Sequence, residues 1–394
     1  MRRLALHGRV RQWLTRLHRW SGLVVMLLLF IASITGVWLV FRQEIDRALN
    51  AELRVVQPGP TRLSEDDIVK LVEQTFPDTM VSLVQFPQRP DDAVALSLTA
   101  TKGPARGRFE TVYVDQYRGV VLGRRNTRQG GVSRASLDSL ILGLHFELLA
   151  GAWGRWTMGI VALVWLLTNL IGLALSWPRL WLRARSWLPI LSARLKDGAY
   201  KANYDVHRAG GIWLLPVLTV LAFTSVALNL PQYVRPVVLA FSSLSRQPAG
   251  TPVSLDKAVV TFDEADAAVR RTFPGAKTNN VFRDLSNGRH SVYFHLPEDA
   301  NPRGEDFALV DLETGEITAV RRPSTGTRGD RFMAWLFPLH TGGALGWTGR
   351  LLVALGGIVM VGLNATGLYV WWVKWRMRRR AATRRHVPSR SAAA

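Results

Sequence analysis

Residues 144–177 return without a gap as residues 339–372, and this self-similarity restricts the possible folds more than any other feature of the chain. Leu144-His145 answers Leu339-His340, Gly154-Arg155 answers Gly349-Arg350, Asn169 answers Asn364, and Gly172-Leu173 answers Gly367-Leu368, all at an offset of 195 positions. The remainder repeats at nearly the same offset: His18-Arg19 returns as His207-Arg208, Thr75-Phe76-Pro77 as Thr272-Phe273-Pro274, and Val114-Asp115 as Val310-Asp311. One unit is therefore written twice, and the fold must be a tandem duplication.

Each copy holds two apolar runs. Residues 20–41, 156–177, 212–230 and 351–373 carry no charge, and each has the roughly 20 residues needed to cross a hydrocarbon layer about 30 Å thick. Four main transmembrane helices are expected, with a kink at Pro216 in the third. The net charge of +21 invites a nucleic-acid reading, but its placement argues otherwise. The basic residues gather in the first 19 positions, between Trp177 and Gly210, and after Val373, where only Asp197 and Asp205 oppose them. That is the positive-inside pattern of a bacterial inner-membrane protein with both termini and the central loop cytoplasmic, touching membrane lipid and no nucleic acid. The chain has no cysteine, which excludes disulfides, thioether-attached or thiolate-ligated haem, and cysteine-held iron–sulfur clusters.

The expected order follows. A cytoplasmic tail and first helix (1–42) precede a periplasmic domain (43–136), a His/Gly segment with the second helix (137–178) and a basic cytoplasmic loop (179–206). A third helix (207–231), a second periplasmic domain (232–330), a His/Gly segment with the fourth helix (331–374) and a basic tail (375–394), disordered after Arg385, complete it. Each periplasmic domain reads as a small α+β unit. Ser64-Glu65-Asp66-Asp67 opens an amphipathic helix, and four alternating apolar strands follow it. The second domain repeats the pattern with a helix over 263–271.

Two copies in the same orientation place matching residues at matching depths. His18 and His207 fall at the cytoplasmic ends of the first and third helices, and His145 and His340 at the periplasmic entries to the second and fourth. Two histidines facing each other across a helix bundle suit the axial positions of a haem b, which implies His18 with His207 and His145 with His340. Two such bis-histidine haems, one near each face, would form an electron path across the bilayer. Gly151, Gly154, Gly342, Gly343 and Gly346 either break the helix and let the outer histidines fold back, or simply let helices approach. Arg155 and Arg350 suit pairing with haem propionates or snorkelling to the interface. Trp153 and Trp347 suit either contact with an amphipathic substrate or a place in the aromatic belt. His290 and His295 read as surface residues, and His7 and His386 carry no role. Phosphate-binding loops, dinucleotide fingerprints and the common hydrolase motifs are absent from the sequence, so the electrons must come from a separate cytoplasmic or quinol donor.

Leu17-His18-Arg19-Trp20-Ser21-Gly22, Ile34-Thr35-Gly36, Phe41-Arg42-Gln43-Glu44-Ile45-Asp46, the two Leu-His blocks and Thr366-Gly367-Leu368-Tyr369-Val370-Trp371-Trp372 together resemble the PepSY-associated transmembrane family over almost the full chain. The resemblance implies that the periplasmic domains are PepSY domains and that the four histidines match the family's helix-end histidines. It also implies a haem-containing reductase acting on ferric siderophores at the periplasmic side. The third helix departs from the pattern, with Ala209-Gly210-Gly211 where the first has Trp20-Ser21-Gly22, and it shows no clear Thr-Gly pair. A non-redox protein that binds or regulates a periplasmic peptidase, or assists iron uptake, is the alternative.

Overall fold

The computed structural model describes residues 8–101, 109–126, 133–178, 180–297 and 306–385. In chain order the principal elements begin with α1 (Gly8–Val40), α2 (Glu65–Thr75), β1 (Thr79–Gln85), β2 (Val94–Ala100), β3 (Phe109–Asp115) and β4 (Val120–Asn126). Then come α3 (Leu137–Glu147), α4 (Gly151–Ser176), α5 (Ala199–Trp213), α6 (Leu215–Asn229) and α7 (Phe262–Thr272). The order ends with β5 (Lys277–Asp284), β6 (Arg289–His295), β7 (Asp306–Asp311), β8 (Ile317–Arg321), α8 (Arg328–Thr341) and α9 (Gly346–Arg385). The chain divides into a helical unit (Met1–Val40, Gly143–Pro231, Leu339–Ala394) and a sheet unit (Phe41–Leu142, Gln232–Pro338).

In the helical unit, α1 and α4, and α9 with the short turn before it, are each long and apolar enough to cross a membrane. The third apolar run behaves differently from the expected kinked helix. It is split into α5 and α6, which are bent by 68° and count as a fourth span only when taken together. The break falls at Leu214, two residues before Pro216. A proline ring has no amide hydrogen to offer the carbonyl four residues earlier and collides with it, so the helix yields just upstream. Val25, Leu29, Val161, Leu218 and Met360 form one small core, drawn from α1, α4, α6 and α9. Large apolar side chains such as Val24, Leu27, Ile160 and Ile358 face outward. An apolar exterior around a thin core suits a lipid solvent, which satisfies such side chains without burial in protein.

In the sheet unit the two expected α+β modules share one eight-stranded antiparallel sheet, in the order β4-β3-β2-β1-β5-β6-β7-β8. The halves join where β1 pairs with β5, with Leu83 opposite Phe282, Val84 opposite Val281 and Gln85 opposite Asn280. Each half alone would expose this strand as an open edge, and pairing the two equivalent edges removes both. Ile68, Val72, Val84, Phe262, Val269, Val281 and Phe294 belong to one continuous core made by both halves.

The helices on that core are also capped reciprocally. The Asp263 carboxylate accepts from the Glu65 and Asp66 amides at 3.3 and 3.0 Å, and the Asp66 carboxylate accepts from the Phe262 and Asp263 amides at 3.0 and 3.3 Å. Each acid thus answers the unpaired amides and positive end of the other half's helix. Within the first helix the expected cap is present, Ser64 accepting from the Asp67 amide, and in the second Thr261 forms a capping box with Glu264. Burial pushes the Glu65 carboxyl up to about 7 against the pull of Arg62, with Asp263 adding to the rise.

One expectation for this unit is overturned. His290 is not a surface residue but is fully buried on β6, its Nε2 donating to the Val260 carbonyl at 2.9 Å beside the Phe262 ring. Its alternation within an ordinary strand sets it on the core face, where burial lowers the imidazole to about 4. His7, His386 and the tail after Arg385 lie outside the described residues.

Candidate functional site: two histidine pairs

The helical unit brings together both predicted pairs. The rings of His18 on α1 and His207 on α5 have centroids 6.3 Å apart with planes at 84°. Those of His145, near the end of α3, and His340, near the end of α8, are 6.2 Å apart with planes at 56°. In each pair one histidine comes from each copy of the repeat.

The ring orientation is set from behind. His18 Nδ1 lies 3.2 Å from the Thr168 carbonyl, and His207 Nδ1 lies 3.1 Å from the Leu363 carbonyl, which is the matching position at the 195-residue offset. His207 gains a second contact with Thr366 Oγ1 at 3.1 Å. Carbonyl oxygens only accept, so in both rings Nδ1 carries the hydrogen. In the other pair His145 Nδ1 meets Thr35 Oγ1 and His340 Nδ1 meets Thr224 Oγ1, both at 3.0 Å. Those hydroxyls donate their own hydrogens to the Ile31 and Val220 carbonyls at 2.7 and 2.8 Å. They are left to accept from the imidazoles, which fixes the same tautomer. All four rings therefore keep a bare Nε2 lone pair, the form in which neutral imidazole binds a metal while its other nitrogen is held by a hydrogen bond.

Glycines make the close approach possible. A Cβ at Gly172 would stand 3.3 Å from His18 Cε1, at Gly367 3.2 Å from His207 Cε1, and at Gly36 3.2 Å from His145 Cε1. The fourth equivalent position is Ser225, next to Thr224. The third helix therefore carries a counterpart of Thr35 but, as expected, no Thr-Gly pair, since serine stands where Gly36 does in the first copy. The signal was available in the sequence, because Thr224 stands at the same offset from Thr35 as His207 does from His18.

The histidine-bearing helices α3 and α8 stop short of the long spans, as the glycine-rich segments suggested. In the second copy the break uses Gly342 and Gly346, with φ of 80° and 57°. In the first, Leu148 and Leu149 take φ of 52° and 57° ahead of Gly151, so two bulky residues occupy the left-handed region that glycine normally serves. Gly154 and Gly349 have a different role. A Cβ there would fall 1.6 Å from the Glu147 carbonyl oxygen and 2.1 Å from that of Gly342, the same close approach in both copies.

The distance within each pair carries chemical information. A metal–imidazole bond is about 2.0–2.1 Å long and an imidazole nitrogen lies about 1.1 Å from its ring centre, so two imidazoles on opposite sides of one metal ion stand about 6.2–6.3 Å apart by centroid. Both pairs have this separation. A cavity of about 560 Å³ opens around His18 and His207, and Asn169, Asn364 and Trp165 line it. Each of these three has a buried side-chain nitrogen without a hydrogen-bond partner. Unpaired buried donors are costly and mark a site where a partner is missing.

The remaining candidates are placed as follows. Arg155 pairs with Glu147 at 3.2 Å and lies over the Phe146 ring. Arg350 donates to the Val40 carbonyl at 2.6 and 3.1 Å and lies over Trp347. Trp153 and Trp347 are among the most exposed aromatic side chains, at 84% and 60%. None of these four enters either histidine pair.

A duplicated helical unit with membrane-length spans and two symmetric histidine pairs, together with a shared antiparallel sheet, defines the class: a membrane protein built by internal duplication. The family model for the PepSY-associated TM region matches residues 15–374, and the chain belongs to that family. No curated protein matches the chain.

Proposed function

We propose that this protein is a haem b-containing oxidoreductase of the bacterial inner membrane that carries electrons outward to ferric siderophores. The observation that carries the reading is the matched separation of the two pairs, 6.3 and 6.2 Å, with all four Nε2 atoms bare. Among the described residues no group of three or more His, Cys, Asp or Glu side chains gathers. Each pair therefore offers two ligands to one metal, which suits an ion whose other ligands arrive with it, as in a porphyrin. The unpaired nitrogens of Asn169, Asn364 and Trp165 and the cavity volume support a bulky occupant between His18 and His207.

Bound in these two places, haem would supply one-electron transfer at two depths. The chain's own residues then have defined tasks. Thr168, Leu363, Thr35 and Thr224 hold the Nδ1 hydrogens and present Nε2 inward. The helices exclude water around the imidazoles. With the basic segments on the cytoplasmic side, His18 and His207 face an unidentified cytoplasmic or quinol donor, and His145 and His340 face the periplasmic substrate. Reduction at that face would loosen siderophore iron, because Fe(II) is less highly charged than Fe(III) and binds oxygen ligands more weakly. The exposed Trp153 and Trp347 offer amphipathic surface to such a substrate.

A dithionite-reduced minus oxidised spectrum of the purified full-length protein, with a haem-to-protein ratio, tests the reading. The expected result is a low-spin b-type difference spectrum at two haems per chain, reoxidised by a ferric siderophore. A protein that binds no haem when expressed under haem-replete conditions overturns it in favour of a non-redox membrane protein.

A further inference from the structure

The cavity between His18 and His207 has an uneven charge. Arg11, Arg19, Arg208, Lys374 and Arg378 line it, and no aspartate or glutamate does. Two of these cations are already engaged: Arg208 pairs with the buried Asp205 at 2.9 Å, and Arg11 donates to the Leu175 carbonyl at 3.3 Å. Arg19, Lys374 and Arg378 have no carboxylate partner among the described residues. Arg19 lies over the Trp20 ring, which leaves its guanidinium edge available. Lys374 and Arg378 are four residues apart on α9, so they share one helix face and extend toward the same volume. Meanwhile Met26, Leu29, Leu218 and Met360 supply apolar walls. An apolar chamber with unpaired cations fits a ligand with a flat apolar body and two carboxylates. Like charges gathered beside a low-dielectric chamber repel one another until such an anion is present.

We propose that Arg19, Lys374 and Arg378 form the carboxylate clamp of the porphyrin held between His18 and His207, taking its two propionates. The inference rests on the haem reading above and adds the chain's own anchoring residues and the orientation of the ring, with its acidic edge toward the basic segments. It also assigns the propionate role at this pair to side chains other than Arg155 and Arg350. Arginine can grip a carboxylate through two bonds and lysine acts as a point charge, so the three together can satisfy both groups.

The test uses the full chain in the His145→Ala background, so that one pair alone titrates. Protein made under haem depletion is titrated with haem b and with its dimethyl ester, which has the same ring and iron but no free carboxylates, and the Soret band is followed. The parent should bind the acid form more tightly than the ester. Each of Arg19→Gln, Lys374→Gln and Arg378→Gln should weaken binding of the acid roughly tenfold, as expected for loss of one charge-assisted bond, and leave ester binding unchanged. The triple variant should no longer distinguish the two forms. The midpoint potential of the variants should also fall, because nearby cations favour the reduced, less positive iron. Equal affinity of the parent for acid and ester overturns the clamp without recourse to any variant, as does an unchanged preference in the triple variant. Failure of the parent to bind either form would instead count against the haem reading itself.

Discussion

The two histidine pairs are built to the same separation by different means. Behind His18 and His207 stand main-chain carbonyls of α4 and α9, whereas behind His145 and His340 stand threonine hydroxyls of α1 and α6. A carbonyl acceptor survives any side-chain substitution, but a hydroxyl acceptor does not. The first pair thus rests chiefly on main-chain carbonyls, with the Thr366 hydroxyl adding a contact to His207, and the second draws on two particular side chains. Packing around the rings differs too. Glycines back both histidines of the first pair, but in the second Gly36 backs His145 while Ser225 holds the matching place in the other copy.

Removing a ligand should have the largest effect on this comparison. His18→Ala and His207→Ala should each lower haem content by about half, with no further loss in the double variant, because both serve one iron. His145→Ala and His340→Ala should lower it by the same share and also stop reduction of an external ferric siderophore. Additive loss between His18→Ala and His207→Ala, measured by pyridine haemochrome, would break the pairing.

Filling the glycine space comes next. Gly172→Val and Gly367→Val should displace the imidazole behind which each residue lies and deplete the first pair selectively, since even a Cβ would be within 3.2–3.3 Å of the ring. Electron paramagnetic resonance can resolve the two low-spin signals, and loss of the wrong signal would contradict the assignment.

The acceptor contrast sharpens the comparison further. Thr35→Val or Thr224→Val should weaken haem binding at the second pair about 10–100-fold, the usual effect of deleting a hydrogen bond behind a metal-bound histidine. Thr168→Val keeps the carbonyl that His18 uses and should leave the first pair nearly unchanged. Equal losses in Thr35→Val and Thr168→Val, measured by haem titration, would remove the distinction.

The smallest effect lies in the sheet unit. Glu65 is raised from 4.5 to about 7 in the folded protein, mainly by burial, so its neutral form favours folding. That contribution is complete below about 4.5 and declines as pH rises through about 7. Glu65→Gln should therefore flatten stability across this window and raise it slightly at pH 8, with haem content unchanged, in thermal unfolding followed by circular dichroism. A fall in stability at pH 8 would show that Arg62 governs this carboxylate instead.

Much of this arrangement was legible in the sequence because duplication places equivalent residues at fixed offsets. The four histidines, the strand-forming runs and the helix cap at Ser64 could be located by period, local pattern and repeat alone. The union of the sheet could not, because β1 and β5 have ordinary alternation and nothing in it marks an edge that pairs with its own copy. His290 was misread for a related reason: a polar residue on the inward face of a strand looks like an exposed one until its neighbours are known. The break before α4 was placed on glycines, yet Leu148 and Leu149 also take left-handed backbone, a choice imposed by tertiary context against local preference. The kink expected at Pro216 is a 68° break at Leu214 that divides the run into two helices.

Both the β1–β5 seam and the histidine pairs draw one member from each copy, so neither half of the chain contains a complete site. In effect the protein is a two-fold dimer whose partners are tethered by the segment between α4 and α5. The tether keeps the stoichiometry at one to one and raises the local concentration of each half for the other, while freeing the two copies to diverge. Thr366, which touches His207, has Ile171 as its counterpart, a difference that two identical subunits could not maintain.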